Sequence, residues 1–360
     1  MYLKEMQLVN FRNYEKAYIK FDRNKNLFLG ENAKGKTNLV EAAYLCAFSR
    51  SFRTNNAMEF VRFGEDFALI RIKAVSGDIE RIIDFTILNN GKKMIKVDGK
   101  PIKRTADLLN NLVVVVFSPD DIGIIKDSPD KRRLFIDKEL CQIRPRYYES
   151  LRNYKESLKN KNSLLKNREI SNMEDLLDVY DSQMIKYGSQ LIDYRSSFIN
   201  MLAKTSSEIQ KKISNGKENL EIKYNPSSEK KYLEEKIIKT REKDKIRGYA
   251  SVGPHRDDIE FYINEKNAHK YASQGQQRTI ALSLKLSEVK ITREIIGENP
   301  ILILDDVLSE LDVERQNYLM DSVDNVQLMM TSTDINNEIL ERMKKKTVFI
   351  VDDGNIKQEK

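Results

Sequence analysis

Gly30-Glu31-Asn32-Ala33-Lys34-Gly35-Lys36-Thr37 places two glycines, a lysine and a hydroxyl at the spacing of a phosphate-binding loop. The short apolar run Leu27 to Leu29 precedes it, and from Lys36 to Phe48 the residues Leu39, Val40, Ala43, Tyr44 and Ala47 recur at helical spacing. The unit therefore reads as strand, glycine loop, helix. Glycine lets the backbone turn its N–H groups toward an anion, and the positive end of the following helix points to the same place. All eight residues are expected to cradle nucleotide phosphates, with Lys36 bridging the β- and γ-phosphates and Thr37 holding Mg²⁺.

A magnesium nucleotide site also needs a carboxylate at the end of a neighbouring strand, and Ile301-Leu302-Ile303-Leu304-Asp305-Asp306 supplies one. Asp305 is the expected Mg²⁺ ligand, through water, and Asp306 the group that polarises the attacking water. Before this strand Ser273-Gln274-Gly275-Gln276-Gln277-Arg278 opens a helix, and after it comes Ser309-Glu310-Leu311-Asp312. Ser273 and the Gly275 N–H at a helix N-terminus form an anion site, and an ordinary N-cap is the alternative for the same residues. These four motifs, in this order, resemble those of ABC ATPases. The resemblance implies ATP bound between two copies of the chain, with Ser273, Gly275 and Gln276 of one copy closing on the γ-phosphate held by the other.

The long interval between the phosphate loop and the acidic strand leaves room for a whole lobe. Phe67 to Val75, Glu80 to Leu88 and Lys92 to Val97 alternate as strands of an antiparallel meander, with Asn90-Gly91 and Asp98-Gly99 as turns. Val113 to Phe117 is a continuous apolar run suited to a strand buried on both faces. From about Lys131 the period becomes helical. Leu177, Tyr180, Met184, Tyr187, Leu191, Tyr194, Phe198 and Met201 form a coiled-coil-like seam, facing a stripe that runs from Leu140 to Leu165. Further on, helices are expected over Thr279 to Ile296 and Asn336 to Lys344, and strands over Gln327 to Met330 and Thr347 to Val351. The expected fold is an α/β, ABC-type P-loop ATPase head made of residues 1–125 and 250–360, with an inserted helical lobe over 126–249.

Composition limits the alternatives. No apolar run approaches the roughly 20 residues of a membrane span, and Cys46 and Cys141 lie too far apart for a zinc spacing. Two histidines leave no histidine-rich metal site, so a metal would take oxygen ligands. These features favour the cytoplasm. The net charge is +7, and residues 126–168 hold 13 Lys and Arg against 6 Asp and Glu. A polyanion partner and a solvated helix face are both consistent with that stretch.

Asn10-Phe11-Arg12-Asn13-Tyr14, Ser49-Arg50-Ser51-Phe52-Arg53, Val252-Gly253-Pro254-His255-Arg256-Asp257-Asp258 and Gln274 to Arg278 resemble the RecF family of bacterial recombination mediators, in the branch of the SMC and Rad50 ATPases. The likeness covers nearly the whole chain. It implies an ATP-dependent homodimer that engages double-stranded DNA near gaps or junctions and works with RecO and RecR in loading the RecA recombinase. Arg12 and Asn13 would then reach the nucleotide, or else form only a surface turn. His255 and Arg256 would contact DNA or the dimer partner, or else build a structural loop. Arg50, Arg53, Lys131, Arg132, Arg133, Arg144 and Arg146 are candidates for DNA phosphates.

The chain departs from the wider ABC pattern in three places. Asp306 stands where many members have glutamate, Thr331, Ser332 and Thr333 replace the switch histidine, and only Ser118, Asp120 or Asp121 is available for the glutamine loop. Slow hydrolysis follows from weaker positioning of the water. A transporter subunit shares these motifs, but neither the helical insert nor the missing histidine suits it. A structural chromosome ATPase would need a longer arm, and a small-molecule kinase would have no use for Ser273 to Gln276.

Overall fold

The computed structural model describes all residues of the chain except 110, 168–171, 335, 336, 344 and 360. Arg168, the last cation of the basic stretch, and Asn336 and Lys344, the expected ends of a helix, lie outside the described residues. Two compact units are present, one formed by residues 1–121 and 281–360 and the other by residues 122–280.

In the first unit, β1 (Tyr2–Phe11), β2 (Tyr14–Lys20), β3 (Lys25–Leu29) and α1 (Lys36–Phe48) are followed by β4 (Phe67–Ser76), β5 (Ile79–Leu88), β6 (Lys93–Val97), β7 (Lys100–Pro101) and β8 (Val114–Phe117). An antiparallel sheet runs in the order β2-β1-β4-β5-β6-β7. Alternation explains its two faces: Leu3, Met6 and Leu8 of β1 and Ala68, Ile70 and Ile72 of β4 point into the core. Helix α1 is buried almost all round, from Leu39 through Phe48. It packs on strands of both sheets of the unit, so its sequence lacks the polar face of a surface helix.

The second unit contains α2 (Gly123–Lys126), α3 (Pro129–Ile143), α4 (Pro145–Lys166), α5 (Met173–Ile213), β9 (Leu220–Asn225), α6 (Leu233–Arg247), β10 (Asp258–Ile263), β11 (Lys266–Asn267) and α7 (Ala268–Tyr271). Helix α8 (Gln274–Ile296) starts in this unit and ends in the first. Residues 250–280, expected with the second half of the head, pack here because β10 pairs antiparallel with β9 from Asp258↔Asn225 to Ile263↔Leu220.

The buried seam of α5 is rotated by one residue at every second position from the expected stripe. Leu177, Met184, Leu191 and Phe198 are buried as predicted, but between them lie Asp181, Gly188, Arg195 and Leu202, while Tyr180, Tyr187, Tyr194 and Met201 are only half-buried. Polar identity concealed Asp181 and Arg195, and pairing makes their burial possible. Arg195 bonds to Asp137 (2.7 Å), Asp257 (3.2 Å), the Tyr147 hydroxyl (3.0 Å) and the Pro254 carbonyl (2.7 Å). Asp181 lies 2.6 Å from Lys161 and 2.8 Å from Arg241. At Gly188 a Cβ would stand 3.2 Å from Leu233 and 3.3 Å from Tyr154, so a larger residue would force α4 and α6 outward.

The chain then returns to the first unit with β12 (Ile301–Asp305), α9 (Val313–Ser322), β13 (Leu328–Ser332), α10 (Asn337–Arg342), β14 (Lys346–Asp352) and β15 (Asn355–Gln358). The second sheet runs β15-β14-β3-β13-β12-β8, all parallel except β15. Strands β8, β12 and β13 are buried at every position, as a sheet covered on both faces requires. No described helix is long and apolar enough to cross a membrane.

Removing one member of a buried, bonded charge cluster leaves the others uncompensated, at a cost of about 3–5 kcal/mol. Arg195→Ala is expected to lower the unfolding free energy by roughly that amount, read from urea denaturation. Tyr194→Ala, on the half-buried flank, should cost distinctly less.

Candidate functional site

The phosphate loop follows β3 and is braced from two directions. A Cβ on Gly30 would lie 2.2 Å from the Val351 carbonyl of β14, and one on Gly35, whose φ is 112°, would lie 2.6 Å from Asn13. From the β1–β2 turn, the buried Tyr14 hydroxyl donates to the Gly35 carbonyl (2.9 Å) and the Asn13 amide to that of Lys34 (3.1 Å). Burial pushes the Tyr14 phenol up, so it stays a donor. Lys34 pairs with Asp352 at the end of β14 (2.9 Å). Glu31, Asn32 and Ala33 are exposed at the loop tip.

Lys36 donates to the carbonyls of Gly30 (2.6 Å) and Glu31 (2.7 Å). Burial pulls its ammonium below the ordinary value, and Asp306 and Asp305 act the other way. At the start of α1, the Thr37 hydroxyl donates to Asp305 Oδ1 (2.8 Å). Thr331 on β13 donates to the same oxygen (2.7 Å), and its own hydroxyl oxygen accepts from the Asp306 N–H (3.0 Å). Burial raises the pKa of Asp305 and the two hydroxyls oppose the shift. Asp306 has φ 54°, and its Oδ1 is buried without a hydrogen-bond partner. A hydroxyl and a buried carboxylate side by side are hard oxygen donors suited to Mg²⁺, with water and phosphate completing the shell. No group of three His, Cys, Asp or Glu able to hold a metal occurs among the described residues.

Thr331 is the residue whose importance the sequence concealed. It marked the place of a missing histidine, but parallel pairing sets Asp305 against Thr331 and so brings one hydroxyl to both acids. Arg12 forms a two-pronged pair with the buried Glu41 of α1 (3.0 and 2.9 Å) and lies over the Phe60 ring. Arg53 donates to Asn38 (2.8 Å), which in turn donates to Asn13 (2.8 Å). Of the glutamine-loop candidates, Asp121 is committed to the Ser118 N–H (2.7 Å) and to Lys285 (3.3 Å), whereas Asp120 is exposed.

In the second unit, Ser273 and Gln276 cap α8 reciprocally: the Gln276 N–H donates to Ser273 Oγ (3.2 Å) and the Ser273 N–H to Gln276 Oε1 (2.9 Å). Ser273, Gln274 and Gly275 are exposed, and a Cβ on Gly275 would meet nothing within 4 Å. Nothing in the chain's own packing calls for glycine there. His255 is structural, held between the Tyr154 hydroxyl (2.7 Å) and the Ala250 carbonyl (3.0 Å), and burial lowers its pKa to about 4. Arg256 lies over Tyr249. Two of the expected DNA contacts are engaged within the unit, because Arg132 is buried against Asp258 (2.7 Å) and Arg133 reaches the Asp257 carbonyl and Asp130. Arg50, Lys131, Arg144 and Arg146 are exposed.

This fold and loop define an ABC-type P-loop ATPase head with a helical insertion, and the Smc head domain of Pyrococcus furiosus has the same fold, with a TM-score of 0.60 at 16% identity. The chain belongs to the RecF/RecN/SMC N terminal domain family, which matches residues 2–357. It is 43% identical over 361 residues to the DNA replication and repair protein RecF of Clostridium perfringens, covering 99% of each chain. The RecF of Agathobacter rectalis is also 43% identical, over 357 residues. The solved structure of the recombination mediator protein RecF-ATP of the RecFOR pathway superposes with a TM-score of 0.91 at 37% identity, covering 99% of each chain.

A hydrogen bond to a charged group is worth about 1.5–3 kcal/mol, or roughly 10- to 100-fold. Thr331→Val keeps the side-chain shape and removes the hydroxyl, and is expected to lower ATP turnover by that factor. Thr331→Ser should remain near wild type. Steady-state hydrolysis of the two variants, with nucleotide binding measured in parallel, checks the assignment.

Proposed function

We propose that the chain is an ATP-operated DNA clamp of recombinational repair and replication-fork maintenance. The observation that carries this reading is the exposed tip of α8, where a reciprocally capped serine and an uncrowded glycine stand at a helix N-terminus open to solvent. Such a tip is chemically complete for a phosphate and has no phosphate-holding lysine of its own. Residues Gly30 to Thr37 have the lysine and hydroxyl. In the proposed dimer the tip of one protomer meets the triphosphate gripped by its partner.

The residues divide the work as follows. Lys36 and the loop N–H groups hold the β- and γ-phosphates, and Thr37 and Asp305 hold Mg²⁺, which neutralises phosphate charge when bound. Asp306, with its unpaired buried oxygen, orients the attacking water. Asn13 acts by bracing the loop, and Arg12 by anchoring α1 through Glu41. The short reach of Asp306 and the use of threonine for histidine make hydrolysis slow, so ATP binding closes the clamp and hydrolysis releases it. Duplex DNA near gaps is the proposed substrate, with stimulation of hydrolysis by duplex as its signature. RecO and RecR are the proposed partners, in keeping with the RecFOR pathway named for the solved relative, and loading of the RecA recombinase is the proposed outcome.

Ser273→Arg places a bulky cation at the α8 tip, far along the chain from the nucleotide-gripping loop. ATP binding by the monomer is expected to persist while ATP-dependent dimerisation disappears, as measured by light scattering with a slowly hydrolysed analogue. A variant that still dimerises would remove the basis of the two-copy site.

A further inference from the structure

Residues 92–104, Lys92-Lys93-Met94-Ile95-Lys96-Val97-Asp98-Gly99-Lys100-Pro101-Ile102-Lys103-Arg104, hold six cations and one acid. They form β6, β7 and the flanking loops, at one end of the antiparallel sheet. Elsewhere in this sheet, apart from the exposed Lys16 and Lys20 of the opposite edge strand β2, cations are matched with acids: Lys4 with Glu80, Lys73 with Glu5, Arg71 with Asp84 and Arg62, just beyond it, with Glu15. In the hairpin the pattern breaks. Lys92, Lys96, Lys100 and Lys103 are exposed and form no ion pair among the described residues. The single acid, Asp98, is taken by Arg81 (2.7 Å). Lys93 donates to the Ser49 carbonyl (2.8 Å), so the basic surface continues to the exposed Arg50.

The basic helices that stood out in the sequence behave differently. There Lys131, Arg132, Arg133, Lys155 and Lys161 each lie within ion-pair distance of an aspartate of their own unit. Lys126, Arg144, Arg146, Arg152, Lys159 and Lys166 of that stretch are exposed without an ion pair among the described residues, so what sets the hairpin apart is the closeness of its unpaired lysines in a short ribbon.

Building on the DNA-binding reading above, we infer that the β6–β7 hairpin is the surface that meets the phosphate backbone of duplex DNA. A strand rises about 3.3 Å per residue, so Lys92 and Lys96 stand roughly 13 Å apart. Duplex DNA carries one charge per about 1.7 Å of axis, so this span faces several phosphates at once. Met94 is the only exposed large apolar residue of the ribbon. Lys92, Met94 and Lys96 share one face of the ribbon, with Asp84 opposite Lys96, whereas Lys100 pairs with Val97 and points to the other face; cations spaced along one face suit a regular polyanion and read no sequence. Lysines also protect sheet edges from pairing with another sheet. That role needs cations on the edge strand, whereas Lys103 and Lys92 lie beyond the strands.

The test compares wild type with Lys92→Gln/Lys96→Gln/Lys103→Gln, none of which touches the nucleotide site. Duplex affinity is measured by fluorescence anisotropy across a series of salt concentrations, with the melting temperature and ATP binding of each protein as fold controls. Three lost phosphate contacts should reduce the slope of log K against log salt by about 3, with at least a tenfold loss of affinity near physiological salt. A matched triple, Lys131→Gln/Arg144→Gln/Arg146→Gln, should change the slope less. Unchanged slope and affinity in a folded hairpin variant overturn the assignment, as does a larger loss in the helical triple. Aggregation of the hairpin variant with duplex affinity intact would make these lysines edge protectors and likewise overturn it. Failure of wild type to bind duplex would instead remove the DNA-binding reading itself, and the inference with it.

Discussion

One carboxylate oxygen, Asp305 Oδ1, joins the first turn of α1 to the ends of two parallel strands. Thr37 reaches it from the helix that begins at the phosphate loop, and Thr331 from β13. Because the oxygen is buried, leaving it unpaired would carry the full cost of desolvation. The constraint couples the loop that grips phosphate to the acid that would attend its metal, and it explains why these elements meet at the C-terminal end of a parallel sheet. At the next residue, Asp306, the backbone is left-handed, its N–H is held by Thr331 and its buried Oδ1 has no hydrogen-bond partner.

The second unit obeys a similar rule by different means. Its long helices are joined by charges buried in pairs and triples, centred on Arg195 and on Asp181. Buried ion pairs contribute little net stability but penalise any packing that separates them. Arg195 bonds to the 254–257 turn immediately before β10, whose strand leads on toward the start of α8. The turn that precedes β10 is thus tied to the helical seam by polar contacts, and the chain runs on from it to the tip of α8.

Charge had to be read after folding. The helical stretch and the β6–β7 hairpin are both basic in the sequence, but ion pairing differs between them. Arg132, which a linear reading places among DNA contacts, is buried against Asp258, more than a hundred residues away in sequence. Solvated charge, not formal charge, attracts a polyanion.

The phosphate loop, the acidic strand, the signature segment and the alternation of strands and helices were legible in the sequence, because each depends on residues a few positions apart whose backbone demands are local. The seam of α5 was legible at Leu177, Met184, Leu191 and Phe198 but not at Asp181, Gly188 and Arg195. A charged residue reads as exposed until its partners on other elements are known. Thr331 looked like an absence until β13 lay beside β12. The membership of residues 250–280 in the helical unit likewise depends on pairing with β9. Short-range pattern therefore determined the elements. Tertiary structure alone decided which polar groups are paired, which charges remain in water and which hydroxyl governs the acids, because burial and hydrogen bonding are relations between distant parts of the chain.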